Sequence, residues 1–167
     1  PLASTFWLSK MKANMAYIEP RLVNGGYRFL VKVGEPKDAA ATKSGTKLSR
    51  GANFWCLMSG APIASDYIKA EGKAGRMGVR LMAVVADGDR GRVYLPPAED
   101  METLARQAEP KWKPETQLPE DMRSHWTPPY GLTSFGDLFT PRQLAALTAF
   151  SDLLKELPAR VEDDARA

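Results

Sequence analysis

Residues 16–33 read AYIEPRLVNGGYRFLVKV, and this stretch decides the fold. Apolar and polar side chains alternate in residues 16–19 and again in residues 27–33, which is typical of strands that bury one face. Between them lies Asn24-Gly25-Gly26. This is a common sequence for a tight turn, because Asn and Gly tolerate the positive φ angles that short hairpin loops require. The stretch therefore predicts an antiparallel β-hairpin.

The same reasoning extends to the rest of the first two thirds. Residues 79–86 and 91–95 are strand-like and flank the turn Asp87-Gly88-Asp89, which predicts a second hairpin. Residues 38–50 show no periodicity and are rich in small and polar side chains, so we predict an exposed loop there. Residues 98–108 place apolar and charged side chains on opposite sides of a helical turn, which predicts an amphipathic helix.

The last third is proline-rich and then helical. Residues 109–139 combine several prolines with tryptophans and predict an irregular strap. Thr140 is a favourable N-cap and Pro141 a favourable first-turn residue, so a helix is predicted over 140–158. Its apolar residues recur at helical spacing, and Pro158 is the predicted stop. An acidic tail, residues 159–167, is predicted to be disordered.

Together these elements predict an α+β fold, in which a small antiparallel sheet is built from hairpins and accompanied by the strap and the C-terminal amphipathic helix. The predicted organisation is a β-rich domain with short helices over residues 1–108, the strap over 109–139, the helix over 140–158 and the tail over 159–167. With 167 residues and 44% hydrophobic content, the chain has material for one real core. Its single cysteine, Cys56, fits a reducing compartment, so we expect a cytoplasmic location.

The residue inventory argues against a complete active site. The chain has one histidine, His125, which leaves little material for a histidine metal site or a Ser-His-Asp triad. Gly72-Lys73-Ala74-Gly75 lacks the spacing of a phosphate-binding loop. Thr127-Pro128-Pro129-Tyr130 has the outline of an amino-methyltransferase motif, but Thr stands where the chemistry needs Asp or Asn. We therefore expect the segment alone to be catalytically inactive.

A zinc-knuckle outline occurs at Cys56-Leu57-Met58-Ser59-Gly60, where Ser59 takes the place of the second cysteine. One thiolate cannot hold zinc by itself. Two interpretations stay open: a buried free cysteine at a strand end, or a relic or half-site of a zinc ribbon completed by residues elsewhere.

Residues 69–92 are locally basic, with six Lys and Arg against three Asp and Glu, and they are punctuated by glycines. Arginine and lysine there can contact phosphates or guanine, and glycine allows the backbone to approach a nucleic-acid strand. A solvated flank of the second hairpin explains the same charges without a ligand. The candidate DNA-contacting residues are Lys69, Lys73, Arg76, Arg80, Arg90 and Arg92.

Three blocks of the chain resemble one protein family. They read PLASTFWLS (residues 1–9), YIKAEGKAGRMG (67–78) and YGLTSFGDLFTPRQL (130–144). The blocks resemble the large bacterial adenine-specific DNA methylases with a zinc ribbon, which carry the domain of unknown function DUF1156. The resemblance runs through nearly the whole chain, and the second and third blocks are the more specific. A start at Pro1 rather than Met fits an internal segment of such a protein.

The resemblance implies a position between two motifs. In that family a Gly-rich S-adenosylmethionine motif lies upstream of the matching region and an Asp-Pro-Pro-Tyr catalytic motif lies downstream. This segment would then be a non-catalytic insert, where target recognition usually sits, and its partners would be duplex DNA and the remainder of the methylase. Phe139, Thr140 and Pro141 resemble a segment that contacts S-adenosylmethionine in some of these enzymes. The family occurs in restriction-like and phage-defence systems.

A second hypothesis assigns the chain a different class of function. The proline- and tryptophan-rich strap and the apolar final helix are also expected of a structural insert that docks the two halves of a methylase, or a partner subunit, without touching DNA. A large exposed apolar face on that helix would favour this alternative. Zinc binding is in doubt under either hypothesis, because Ser59 replaces the second cysteine.

Overall fold

The computed structural model describes residues 1–89, 91–119 and 126–164. They form an α+β fold with small antiparallel sheets and a C-terminal helix, which confirms the predicted fold class. The chain divides into two compact units, Pro1–Glu99 and Asp100–Ala167, and this division lies closer to the start of the chain than the predicted boundary at residue 108.

The first unit contains seven strands, two α-helices and one short 3₁₀ helix (Lys12–Asn14) within the described residues. The strands are β1 (Trp7–Ser9), β2 (Ala16–Val23), β3 (Gly26–Val33), β4 (Phe54–Trp55), β5 (Pro62–Ile63), β6 (Val84–Gly88) and β7 (Gly91–Leu95), and the helices are α1 (Ala39–Ser44) and α2 (Ser65–Lys73). Helix α3 (Glu99–Arg106) begins at the boundary and α4 (Pro141–Asp164) follows in the second unit. Across the three described ranges, no helix is both long enough and apolar enough to cross a membrane.

The predicted first hairpin is confirmed and forms the centre of a three-stranded sheet of order β1-β2-β3. Strands β2 and β3 are joined by a two-residue loop in which Gly25 has a φ of +79°. One face of the sheet carries the core of the unit, since Ile18 and Phe29 are buried there with Ala3 and Phe6. Alternation along the strands therefore sends the remaining side chains to the opposite face.

Strand β2 continues through Pro20, although the sequence predicted its end at residue 19. The amide of Ile18 donates to the carbonyl of Phe6 at 2.8 Å, so this side of β2 faces β1. Pro20 lies two residues further on and faces the same side, where β1 no longer pairs with β2. The missing N–H of proline therefore breaks no ladder bond at this position.

The predicted loop at residues 38–50 is wrong, because its first half forms α1. Asp38 caps this helix, and its carboxylate accepts a 2.8 Å hydrogen bond from the amide of Ala41. A short alanine-rich run after a capping aspartate favours a helix even without apolar periodicity. The helix ends at Gly45, which has a φ of +59°.

Thr46 joins this segment to the start of the chain. It is fully buried, and its hydroxyl accepts a 2.9 Å hydrogen bond from the amide of Ala3. The same hydroxyl lies 2.9 Å from the carbonyl oxygen of Pro1, to which it donates. The amide of Thr46 in turn donates to the carbonyl of Ala3 at 2.8 Å. The N-terminal residues are thus held on the sheet by hydrogen bonds that water cannot replace.

The second hairpin is confirmed, but its first strand is shorter than predicted. Strand β6 starts at Val84 rather than at residue 79, and it pairs with β7 from Val84 opposite Leu95 to Gly88 opposite Gly91. Met82 and Ala83, which the sequence assigned to the strand, instead pack against the core of the three-stranded sheet. Burial against another element therefore replaces strand pairing in this segment.

The second unit begins with α3, which confirms the predicted amphipathic helix at residues 98–108. The predicted strap is only partly irregular, because its two arms are hydrogen-bonded to each other. The amide of Leu118 donates to Thr133 at 2.8 Å, and that of Gly136 donates to Pro114 at 3.0 Å. Helix α4 starts as predicted: the Gln143 side chain accepts from the amide of Thr140 at 2.8 Å, and the Thr140 hydroxyl accepts in return at 3.4 Å.

Helix α4 continues to Asp164, so the predicted stop at Pro158 and the predicted disorder from residue 159 are wrong as far as 164. Proline has a helical φ and removes only one backbone donor, the one that would bond to Leu154. Three of the six helical residues that follow, Ala159, Arg160 and Glu162, are good helix formers, which favours the continuation. Residues 165–167 of the predicted tail lie outside the described residues.

The strap contains a carboxylate whose protonation should affect stability. Asp137 accepts hydrogen bonds from the amides of Ser134 (2.8 Å) and Thr133 (3.0 Å), and its carboxylate lies 4.0 Å from the ammonium of Lys113. The backbone hydrogen bond from Ser134 is the largest cause of the lowered pKa of Asp137. Asp137 therefore stabilises the fold above its ordinary pKa of 3.8, and this contribution is lost as the pH falls through the lower folded value.

We expect Asp137→Ala to lower the free energy of unfolding by about 1 kcal/mol at pH 7, the usual contribution of a cap. The deficit relative to wild type should be smaller at pH 3 than at pH 7, because the contribution of the charged carboxylate begins to be lost below 3.8 and disappears as the pH falls through the lowered folded pKa. Urea unfolding followed by tryptophan fluorescence at both pH values measures this. A deficit of the same size at both pH values would contradict the assigned role of the charge.

Candidate nucleic-acid interface

Charge is divided unevenly between the two units. Residues 1–99 contain 15 Lys and Arg against 8 Asp and Glu, a net charge of +7. Residues 100–167 contain 8 against 12, a net charge of −4, and together the two units give the chain's +3. The small overall charge therefore hides a strongly basic unit beside an acidic one in sequence. A basic unit of this kind is the usual electrostatic footprint of nucleic-acid binding.

Two of the predicted DNA-contacting residues lie on α2. The ammonium of Lys69 is 3.6 Å from the carboxylate of Asp66, one turn earlier, so part of its charge is already compensated. Lys73 ends the helix, is exposed, and forms no ion pair with any described residue. Lys73 is therefore the better placed of the two to contact a phosphate.

Arg76 is held by its own chain. Its guanidinium donates two hydrogen bonds to the carboxylate of Glu71, at 2.9 and 2.7 Å. Gly75, with a φ of +68°, turns the chain after α2 and lets Arg76 fold back on the helix. These hydrogen bonds lower the pKa of Glu71 and raise that of Arg76. The prediction that Arg76 contacts DNA is untested, but the pairing with Glu71 competes with a phosphate contact.

Arg80 also has a partner within the chain. Its guanidinium carbon lies 5.3 Å from the ring centroid of Tyr27 on β3, within the range of a cation–π contact. The contact ties the segment between α2 and β6 to the three-stranded sheet. Arg80 therefore serves packing in this structure, whatever else it binds.

Arg92 lies on β7 and brings a second basic segment beside it. Its backbone carbonyl accepts a 2.6 Å hydrogen bond from the side-chain amide of Asn14. Asn14 belongs to the loop between β1 and β2, which also carries the exposed Lys10 and Lys12. The structure thus joins Arg92 to two lysines that are about 80 residues away in sequence. Arg90 lies outside the described residues.

Most of the exposed charge was missed by the sequence analysis. Residues 10–50 hold nine Lys and Arg against three Asp and Glu, a larger excess than residues 69–92 carry. A charge count over a moving window would have found this segment. Within the described residues of the basic unit, the cations that form no ion pair are Lys10, Lys12, Arg28, Lys37, Lys43, Lys47, Arg50, Lys73 and Arg92.

The zinc-knuckle outline at Cys56 has the backbone of a tight turn. The amide of Gly60 donates to the carbonyl of Cys56 at 2.8 Å, and Gly60 has a φ of +72°. The half-buried thiol has a lowered pKa, chiefly because the Ser59 side chain hydrogen-bonds to it, with further help from the amides of Ser59 and Met58. No group of three or more His, Cys, Asp or Glu that could hold a metal occurs among the described residues.

Replacing Ser59 with alanine should therefore raise the pKa of Cys56, because the strongest hydrogen bond to the thiolate is lost. We expect alkylation of Cys56 by iodoacetamide to slow at pH 7.5 and its pH midpoint to move upward. Alkylation rates of both proteins between pH 6 and pH 10 test this. Identical pH profiles would show that Ser59 does not act on the thiol.

The predicted cofactor-contacting residues lie at the start of α4. The hydroxyl of Thr140 is used in the helix cap, Pro141 is the first helical residue, and Phe139 is exposed. The cap accounts for Thr140 without a ligand, and contact with S-adenosylmethionine stays a prediction for all three residues.

Comparison of the chain with protein-family models, with curated proteins and with solved structures finds no match in any of the three.

Proposed function

We propose that this chain is the non-catalytic, DNA-contacting insert of a cytoplasmic bacterial N6-adenine-specific DNA methyltransferase. The observation that carries the proposal is the net charge of +7 on residues 1–99, where nine cations form no ion pair with a described residue. Cations left without internal partners are available for phosphates, which supply most of the affinity of a DNA-binding surface. The three family-like sequence blocks supply the methylase context.

In this proposal the insert positions DNA and the rest of the enzyme performs the chemistry. Phosphate contacts fix register and orientation on the duplex, while the cofactor motif and the catalytic motif lie outside the segment. S-adenosylmethionine would supply the methyl group in the full enzyme. The chain's own contribution is its set of nine cations without ion pairs, which lie in the β1–β2 loop, on β3 and β7, around α1 and at the end of α2.

Binding of a fluorescein-labelled duplex to the chain, measured by anisotropy at several salt concentrations, tests the proposal. Phosphate contacts release counterions, so log affinity should fall linearly with log salt, with a slope of roughly −0.9 for each phosphate neutralised. We expect a slope that corresponds to several neutralised phosphates. Binding that is undetectable at low salt, or that does not change with salt, would contradict a DNA-contacting role.

A second candidate is the structural insert that docks methylase halves or a partner subunit, and a specific observation favours it. Helix α4 buries Leu144 but exposes a continuous apolar stripe one turn further on. Phe150 is 67% exposed and Leu154 is 64% exposed, and they form this stripe together with the exposed Leu153 and Leu157. Exposed apolar stripes of this kind mark protein contacts more often than nucleic-acid contacts. Salt-insensitive binding to DNA would favour this candidate over the first.

A further inference from the structure

The face of the three-stranded sheet opposite the core carries aromatic and cationic side chains in register. Trp7 lies directly opposite Tyr17, and Tyr17 lies directly opposite Lys32, so the three side chains form one row across β1, β2 and β3. Directly opposed residues of antiparallel strands point to the same face. We call this surface the outer face, defined by Trp7, Tyr17, Glu19, Arg21, Arg28, Leu30 and Lys32.

The two rings of this row are arranged edge to face. Their centroids are 6.2 Å apart and their planes are inclined by 67°. Both residues are half-buried, in contrast to the buried Phe6 and Ile18 that face the core. Each ring therefore keeps part of its surface accessible, next to the partly exposed ammonium of Lys32. Accessible rings flanked by a cation are the usual platform for stacking a nucleobase.

Two arginines oppose each other further along the same face. Arg21 of β2 is the direct partner of Arg28 of β3, and both are exposed. Opposed like charges destabilise a sheet unless a counter-charge lies between them. Glu19 supplies only part of that charge, since its Oε2 lies 3.6 Å from Arg21 and 3.9 Å from Lys32 and makes no hydrogen bond. Arg28 forms no ion pair with any described residue.

The rings and the arginine pair are separated by four residues along β2, a distance of about 13 Å for an extended strand. The outer face thus combines a stacking row, a pair of arginines suited to a phosphate, and one carboxylate against three cations. An anionic ligand with flat aromatic groups, longer than a single base, matches all three features. A nucleic-acid strand has this chemistry.

We infer that the outer face binds single-stranded nucleic acid, with bases stacked on Trp7 and Tyr17 and a phosphate at Arg21 and Arg28. Bases within a duplex are stacked on their neighbours and do not offer their faces, whereas unpaired bases do. The inference rests on the proposed function, because it adds a strand-selective surface to a unit proposed to bind DNA. It differs from that function in the aromatic residues used and in the form of the ligand, while Arg28 is one of the cations counted for both.

The test compares a fluorescein-labelled oligothymidylate with a duplex of the same length, each titrated with the full chain. Tyr17→Leu removes the ring but retains apolar volume, and Tyr94→Leu on β7 is the matched control off this face. Loss of one stacked base should weaken oligothymidylate binding about tenfold or more. We expect that loss for Tyr17→Leu, little change for Tyr94→Leu, and an unchanged duplex affinity for both.

Arg28→Glu gives a second test that does not depend on the sheet tolerating the loss of a ring, because Arg28 is exposed. It should weaken oligothymidylate binding more than the matched charge reversal Lys111→Glu in the acidic unit. Unchanged oligothymidylate affinity in Tyr17→Leu and Arg28→Glu, with duplex binding intact, would overturn this inference and leave the proposed function standing. Equal losses of oligothymidylate and duplex affinity in Tyr17→Leu would also overturn it. Failure of the wild-type chain to bind either ligand would overturn both.

Discussion

Replacing Gly45 with alanine is expected to cost most of the stability of residues 1–99. Gly45 ends α1 with φ +59° and ψ −127°, a combination that side-chain-bearing residues rarely adopt. A Cβ at this position would overlap the carbonyl oxygen of Ala3 and would lie 2.8 Å from the amide nitrogen of Thr5. Both atoms belong to backbone that hydrogen bonds hold in place, so neither can move cheaply.

The strained backbone and the overlap each cost about 1–3 kcal/mol, so we expect a total loss of roughly 3–5 kcal/mol. For a unit of this size that corresponds to a fall in melting temperature of about 15 °C or more. Gly25→Ala is the matched control, because Gly25 also has a positive φ but no atom lies within 4 Å of its added Cβ. Thermal unfolding of both variants by circular dichroism separates the two contributions, because Gly25→Ala introduces backbone strain alone and Gly45→Ala introduces both strain and steric overlap. Equal losses would mean that the chain around Ala3 relaxes and the overlap is not a constraint.

The close approach at Gly45 shows why part of the fold could not be predicted. Local signals were sufficient for the first hairpin and for the start of α4, because the Asn24-Gly25 turn and the Thr140 cap act within a few residues. Helix α1 was missed because it is only six residues long and has no apolar periodicity, and its contacts with Thr5 and Phe6 are not visible in the sequence. The sequence analysis placed only residues 16–19 in the first strand, and the sequence does not show that Pro20 faces a side of β2 that lacks a partner.

The candidate nucleic-acid interface could likewise be predicted only in part. The sequence showed which residues are basic, but not which of them are compensated within the fold. Arg76 pairs with Glu71 and Arg80 packs on Tyr27, and both contacts depend on how the chain turns after α2. Conversely, the sequence does not show that Lys12 lies near Arg92, because the loop that carries Lys12 is brought beside β7 by a contact of the fold, the hydrogen bond between Asn14 and Arg92.

Reversing the charges of Lys12 and Arg92 together is expected to have the largest effect on DNA binding. Both side chains are exposed, and neither forms an ion pair with a described residue. Two phosphate contacts would change from attractive to repulsive, which should weaken duplex affinity by roughly 10- to 100-fold at low salt. The slope of log affinity against log salt should become shallower by about two, since each phosphate-contacting cation contributes about one.

A matched control is available in the acidic unit. Lys111→Glu with Arg142→Glu changes the net charge by the same amount, from +3 to −1, but places the change in residues 100–167. If only the overall charge of the chain mattered, both double variants would bind equally weakly. If the basic unit forms the interface, the control should retain most of its affinity.

The comparison of these two double variants with the wild-type chain, by anisotropy of a labelled duplex at about 50 mM salt, tests the central claim most directly. The account predicts that Lys12→Glu/Arg92→Glu binds at least tenfold more weakly than Lys111→Glu/Arg142→Glu, which should stay within a few-fold of wild type. Equal affinities for the two double variants, or wild-type affinity in both, would contradict the assignment of DNA contact to residues 1–99.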